Sequence, residues 1–346
     1  MKMLPKMAKA LELTRAGRLA DAAALLSQRL TSSGTATSST QPIDLSQPLL
    51  PLRKMRAAPT SGAPSGMTQH QHSGPSGTLS YLLHTPRDTK QGMPLVIMLH
   101  GCTQSPEDFA LGTGMNRLAD EYGVMVAYPQ QTQRANAQKC WNWFRPGDQH
   151  RDQGEPALIA GATRDIIAQH GVDPQRVYIA GLSAGGAAAA IMAAQYPDIY
   201  AAAGIHSGIA CGIAQDVPSA FAAMKQGGGK RGRSANAQFV PVITFHGDRD
   251  NTVSEINSRE IIAAASTGLK DCVTISHSET TGGREVRIDK TTDAAGRSLI
   301  EQWTVHGAGH AWSGGNGAGS YADASGPDAS REMLRFFLQH SLKSDK

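Results

Sequence analysis

The stretch Val177-Tyr178-Ile179-Ala180-Gly181-Leu182-Ser183-Ala184-Gly185-Gly186 decides how this chain is read. A β-branched and aromatic run leads into G-x-S-x-G, and an Ala-rich helical pattern continues to Gln195. Strand, sharp turn and helix in that order place a serine at the tip of a strained turn. Gly181 and Gly185 flank it because a Cβ at either position would crowd the neighbouring backbone. The helix from Ala184 aims its N-terminal amides at the tip, where a nucleophilic reaction develops negative charge. A Gly-rich β–α turn carrying a solvated serine is the alternative, so the rest of the chain must supply the partners.

The 346 residues suffice for one large domain with an appendage. A hydrophobic content of 40% and a charged content of 18% suit a globular chain with some polar linker. The formal charge of +4 collects in the N-terminal region and in residues 225–233. With 5% aromatic residues and no continuous basic face, a nucleic-acid partner is not expected. No apolar run reaches transmembrane length. Glu12, Arg15, Arg18 and Asp21 interrupt the first thirty residues, so no secretory signal is recognisable and a cytoplasmic location is expected. Cys102, Cys140, Cys211 and Cys272 form no C-x-x-C pair, which argues against a zinc site and leaves disulfides open.

In order, residues 1–30 read as a helical segment broken near Ala16-Gly17, with Leu19, Ala22, Ala23, Leu26 and Leu30 on one face. Such a face docks on its own catalytic domain or on a partner. Residues 31–76 are rich in Ser, Thr, Pro, Gly and Gln and read as a flexible linker, with Gln69-His70-Gln71-His72 solvated inside it. From Gly77 strands and helices alternate, and the catalytic domain is read as 77–346. Strands are expected over 78–84, 93–100, 124–128, 176–180, 200–207, 240–246, 286–290 and 299–305. Helices are expected over 106–122, 154–169, 184–195, 258–265 and 330–341. This is an α/β chain with a mostly parallel, doubly wound sheet and helices on both faces, its functional groups beyond the strands' C-terminal ends. Residues 212–238 read as a polar, solvated insertion at the rim.

A serine hydroxyl needs a histidine within reach, and that histidine needs a carboxylate to fix its tautomer and stabilise the imidazolium. In this topology the chain order is Ser, acid, His. Phe245-His246-Gly247-Asp248-Arg249-Asp250-Asn251-Thr252-Val253 holds two competing aspartates. The pattern H-G-x-x-D-x-x-V places the carboxylate at Asp250, leaving Asp248 to stabilise the turn through its own backbone. The base is expected at His310, after a Gly-x-Gly turn that lets its loop reach back, while His306 sits at a strand end and His206 and His277 lack such a loop. The oxyanion donors are then the amides of Ala184 and of Cys102, just after His100-Gly101.

Four stretches occur in order: Leu99-His100-Gly101-Cys102-Thr103-Gln104, Cys140-Trp141-Asn142-Trp143-Phe144, Gly181-Leu182-Ser183-Ala184-Gly185-Gly186, and Gly309-His310-Ala311-Trp312-Ser313-Gly314-Gly315. Together they resemble the polyhydroxybutyrate (PHB) depolymerase family of esterases, relatives of feruloyl and acetylxylan esterases, over roughly residues 77–342. The resemblance implies an α/β-hydrolase fold with little or no lid, the triad Ser183, Asp250 and His310, and the oxyanion pair Cys102 and Ala184. It also implies an aromatic border to the site, for which Trp141, Trp143 and Trp312 are the candidates, with Gln104 beside them. The loop bearing Cys102 would lie near the Cys140 loop, which implies a Cys102–Cys140 disulfide; two free thiols are the alternative. Cys211 and Cys272 are assigned to no pair.

The expected function is hydrolysis of carboxylic esters of the hydroxyalkanoate type, as polymer, oligomer or short-chain ester, through an acyl-enzyme and without metal or organic cofactor. Hydrolysis of feruloyl or acetyl groups on plant polysaccharide is the rival within the enzyme class. A non-catalytic binding protein on the same fold is the rival outside it. The secreted members of the family suggest secretion, but the lack of a visible signal and of a recognisable C-terminal polymer-binding domain favours oligomers or small esters over solid polyester.

Overall fold

In the computed structural model, which describes residues 66–229 and 238–342, the sheet starts before Gly77. Strands β1 (Met67–Gly74) and β2 (Gly77–His84) form an antiparallel hairpin, in register from Met67↔His84 to Gly74↔Gly77. The end of the segment read as linker is therefore a strand. Its residues are polar because neighbours, not hydrophobic alternation, hold it. His70 stacks on Tyr81 at 5.4 Å, and His72 Nδ1 lies 2.6 Å from Asp165 Oδ2. The helical segment 1–30, the linker up to residue 65 and the basic residues 230–233 lie outside the described residues.

Strand β3 (Met93–Leu99) is buried at all seven positions, as a strand covered on both faces must be. Each of its large side chains contributes about 1.5–3 kcal/mol by leaving water. The helix expected over 106–122 is two helices, α1 (Pro106–Thr113) and α2 (Met115–Tyr122). Gly114, at φ 61°, ends the first and starts the second, a turn in which glycine alone is unstrained. Then follow β4 (Met125–Pro129), α3 (Gly154–His170), β5 (Val172–Leu182), α4 (Ala184–Gln195) and β6 (Ala202–His206).

The stretch read as a solvated insertion contains a helix, α5 (Val217–Gln226). Asp216 accepts from the Ser219 amide at its N-terminus and Ser219 reciprocates, a capping box that the polar composition concealed. Beyond it lie β7 (Val242–Gly247), α6 (Ile256–Ser266), β8 (Val273–Thr281), β9 (Arg284–Thr292) and β10 (Ser298–Val305). Strand β8 was not expected from the sequence. It is exposed on both faces along nearly its whole length, so it carries no burial period to read. A two-residue bridge joins β11 (Trp312–Ser313) to β12 (Ala322–Asp323), and α7 (Ala329–Phe337) is the last helix described. It ends short of residue 341 because the chain turns back to the sheet. There Tyr178 Oη donates to His340 O at 2.8 Å and Leu342 N to Gln175 O at 2.9 Å.

The ten main strands form one sheet in the order β1-β2-β4-β3-β5-β6-β7-β10-β9-β8. The six central strands, β4 to β10, run parallel, and the hairpins at either end are antiparallel. Helices cover both faces, with α2 against α7 and α3 against α4, and no lid is evident among the described residues. The architecture is that of an α/β hydrolase, with β5 central and its C-terminal end opening onto the site. Among the described residues no helix is long and apolar enough to cross a membrane.

Candidate active site

Ser183 stands between β5 and α4 at φ 58° and ψ −118°, a conformation costly for any residue with a side chain. Packing holds it there. A Cβ on Gly181 would come within 2.3 Å of the Gly185 backbone, and one on Gly185 within 2.0 Å of Leu99 O. The turn is thus closed by two glycines that touch each other and the end of β3. Ser183 N donates to His206 O at 2.9 Å, tying the tip to β6, and Ser183 itself keeps some solvent exposure.

The loop after β3 lies against this tip, since a Cβ on Gly101 would be 3.7 Å from Ser183 Cβ. A disulfide joins Cys102 to Cys140, with Cα atoms 4.2 Å apart. Cys211 and Cys272 are free thiols. Around the disulfide, Thr103 N donates to Gln138 O at 2.6 Å, and the Trp141 indole N–H to His100 O at 3.1 Å. His100 is buried and donates from Nδ1 to Gly101 O at 2.8 Å, so its Nε2 accepts from Gln131 N at 3.1 Å. Burial pushes its pKa down to about 4, which keeps the ring neutral and suited to that second role. Among the described residues, neither the Cys102 nor the Ala184 amide donates a backbone hydrogen bond in the turns and loops.

One residue behind this loop was not foreseen. Glu155, in the first turn of α3, accepts from Asn142 N at 2.7 Å, Asn142 Nδ2 at 2.5 Å and Gln131 Nε2 at 2.5 Å. A single carboxylate so fastens the Cys140–Asn142 turn to the body of the domain. Burial, then the charge of Asp148, raises its pKa to about 7 against the opposing hydrogen bonds from Asn142 and Gln131. Nothing in its sequence position signals this, because its partners come from the Gln131 and Asn142 loops.

Asp250 and His310 meet. His310 Nδ1 donates to Asp250 Oδ2 at 2.6 Å, and Asp250 Oδ1 accepts from the amides of Thr252 and Val253, both at 2.8 Å. The carboxylate is fully buried. Burial works against its charge, but the His310 hydrogen bond and the neighbouring imidazoles outweigh that and hold its pKa below the usual carboxylate range. The two loops are pressed together, for a Cβ on Gly247 would lie 2.2 Å from Ala308 O, and Arg249 N donates to Ala308 O at 3.0 Å. His206, buried and stacked on Trp312 at 5.1 Å, accepts from Ser313 N at 3.0 Å and so fixes the His310 loop beside the strand that also holds Ser183 N.

Asp248 binds elsewhere than expected. Instead of its own turn, it takes His306 Nδ1 at 2.8 Å and Gly307 N at 2.7 Å, fastening the exit of β10. His277 lies on the exposed strand β8.

The expected substrate wall needs correction. Trp141 and Trp312 are 1% exposed. The Trp312 indole donates to Ser330 Oγ at 3.0 Å and sits edge-on to Phe109, which makes it core packing rather than a surface for an acyl chain. Trp143 is also buried and lines a cavity of about 10 Å³ with Asp148, Glu155 and Ile159, room for one water and no chain. Gln104 is buried with its amide fully used: Oε1 accepts from Gly101 N at 2.9 Å, and Nε2 donates to Asp108 Oδ2 at 3.0 Å and Ser320 O at 2.9 Å. It braces the loop after β3, with both amide atoms engaged by the protein. Among the described residues no group of three or more His, Cys, Asp or Glu is placed to hold a metal ion.

The family described as "Esterase PHB depolymerase" matches residues 79–274. Poly(3-hydroxyalkanoate) depolymerase C of Paucimonas lemoignei is 34% identical over 267 residues, 73% of this chain. The match spans 63% of that relative's own length. Acetylxylan esterase A of Talaromyces purpureogenus is 30% identical over 138 residues, 40% of this chain and 35% of the relative. Among solved structures, the acetyl xylan esterase from Aspergillus awamori superposes with a TM-score of 0.60 at 17% identity, over 79% of this chain and 99% of the other, a likeness of fold. With the family matched over more than half its length, and its sheet, elbow and disulfide in place, this chain belongs to the PHB depolymerase family of esterases within the α/β-hydrolase superfamily.

Proposed function

We propose that the chain is a serine carboxylic-ester hydrolase whose triad is Ser183, His310 and Asp250. The observation that carries this reading is the His310–Asp250 hydrogen bond at 2.6 Å, formed by a fully buried carboxylate, in a histidine loop that His206 ties to the serine held at positive φ. With Nδ1–H bound to Asp250, the His310 ring presents Nε2 as the base. Nε2 takes the Ser183 proton as Oγ attacks the ester carbonyl, and returns a proton to the leaving alcohol. Asp250 remains ionised and stabilises the imidazolium. Water then repeats the sequence on the acyl-enzyme. The amides of Cys102 and Ala184 receive the oxyanion, each donor of this kind being worth about 3–4 kcal/mol in the transition state.

For the substrate we favour esters of hydroxyalkanoic acids, because the relative named for that activity is similar over 73% of this chain, whereas the acetylxylan esterase of T. purpureogenus matches 40%. The deciding experiment compares kcat/KM on 3-hydroxybutyrate oligomers, acetylated xylan and methyl ferulate. Faster turnover of the oligomers is expected. A clear preference for either polysaccharide-type ester assigns the chain to the other branch.

A further inference from the structure

Tyr321 stands beside the site with no role in the reading above. It is among the few large apolar side chains left exposed among the described residues, at 47%. Its ring meets His310 edge to face, centroids 6.5 Å apart, and its hydroxyl lies 3.5 Å from Thr103 Oγ1 on the opposite loop. The ring thus reaches from the base to the residue after Cys102.

Its backbone is held on both sides. Tyr321 O accepts from Trp312 N at 2.7 Å, which ties it to the His310 loop. The preceding residue is clamped to the other loop. Ser320 N donates to Asp108 Oδ1 at 2.9 Å, Ser320 Oγ bonds Asp108, and Ser320 O accepts from Gln104 Nε2, whose Oε1 holds Gly101 N. Tyr321 nevertheless sits at φ 50°, a left-handed conformation that a non-glycine residue adopts at a cost. A side chain half in water does not compensate that cost by packing. Its hydroxyl is no anchor either. Thr103 Oγ1 already donates to Cys102 O at 2.6 Å, so the phenol can only donate across a long 3.5 Å contact. The result is a rigid, outward aromatic surface with a hydroxyl free to turn, where the tryptophans are buried.

We propose that Tyr321 is a specificity-determining residue that covers the alcohol portion of the ester, and that its ring favours substrates whose alcohol portion is a further hydroxyacid unit over those with a short alkyl alcohol. This rests on the serine-esterase reading. His310 returns its proton to the leaving alkoxide, so the leaving oxygen lies against the imidazole that the Tyr321 ring adjoins. The chain attached to that oxygen is what the ring can cover.

The test holds the acyl unit constant and varies the alcohol, comparing the linear trimer of 3-hydroxybutyrate with ethyl 3-hydroxybutyrate. Tyr321→Ala is expected to lower kcat/KM on the trimer by about tenfold more than on the ethyl ester, chiefly through KM, the scale of one lost aromatic contact. Tyr321→Phe, which keeps the ring, is expected to retain the trimer preference within about twofold. Equal losses on the two esters with Tyr321→Ala, or no loss, overturn the proposal. The same comparison is made by calorimetry on Ser183→Ala protein, where adding Tyr321→Ala should weaken trimer binding by about tenfold. That arm decides the role of Tyr321 without turnover. Full turnover by Ser183→Ala alone overturns the serine-esterase reading instead.

Discussion

Two of the histidine–aspartate pairs among the described residues lie in adjacent loops, built from the same chemistry and placed in opposite surroundings. His310 and Asp250 are 11% and 0% exposed at their side chains, whereas His306 and Asp248 are 40% and 36% exposed. Both pairs bond through Nδ1, at 2.6 and 2.8 Å. Both aspartates also accept backbone amides, from Thr252 and Val253 in one case and Gly307 in the other. The pair alone therefore does not make a catalytic group. In the inner pair the carboxylate is cut off from water, so its charge acts on the imidazole with little screening, and the histidine loop is pinned beside Ser183 through His206. The outer pair has the same geometry in water and fastens a strand end.

The strongest test of that contrast removes what the inner pair would serve. Ser183→Ala should lower kcat on an activated ester by ~10⁶ with the melting temperature retained, the scale seen when a serine-hydrolase nucleophile is lost. Activity within about tenfold of the parent would show that the inner pair serves some other group. Next, Asp250→Asn should cost ~10⁴ in kcat by admitting the wrong histidine tautomer. Asp248→Asn, removing a solvent-screened pair worth about 0–1 kcal/mol, should leave kcat within about threefold. The reverse ranking would exchange the two roles.

The wall facing the inner pair gives two smaller effects. Cys140→Ser opens a link between residues 38 apart in sequence, so unfolding by denaturant should show a loss of about 3–4 kcal/mol in the chain-entropy account. Unchanged stability on reduction of the parent protein would mean that the loop is held by Glu155 and Gln131 instead. Glu155 itself predicts a pH effect. Its folded pKa of about 7 lies above the ordinary 4.5, so the folded state binds the proton more tightly than the unfolded chain. The stability gained this way is complete below pH 4.5 and is lost as pH rises through 7. Glu155 keeps some solvent contact, so the loss over that window should be about 1–2 kcal/mol rather than the full shift. Denaturant titrations at either end of the window should show this loss in the parent and a flatter profile in Glu155→Gln. An equal slope in both would place the titrating group elsewhere.

The local patterns in the sequence sufficed for the parallel centre of the sheet and the strand–turn–helix at Ser183, and they singled out Asp250 and His310, which the fold brings into hydrogen-bond contact. These depend on contiguous features: buried runs such as 93–99, glycines at fixed offsets from a serine, and loops that follow strands. Strand β1 escaped because its polar residues are held by β2 and α3. Strand β8 escaped because an edge exposed on both faces has no burial period. The same limit governed the site. An indole beside a histidine in sequence reads as a surface, but Trp312 points into the core because Phe109, His206 and Ser330 converge on it from three other segments. Gln104 and Glu155 bind atoms distant in sequence, and Tyr321 reaches His310 and Thr103 only after two loops are drawn together. Residue type and spacing determine what a segment can form by itself. Which side chains stay in water, and which partners use up their hydrogen bonds, depends on contacts between distant segments, and these form only in the folded chain.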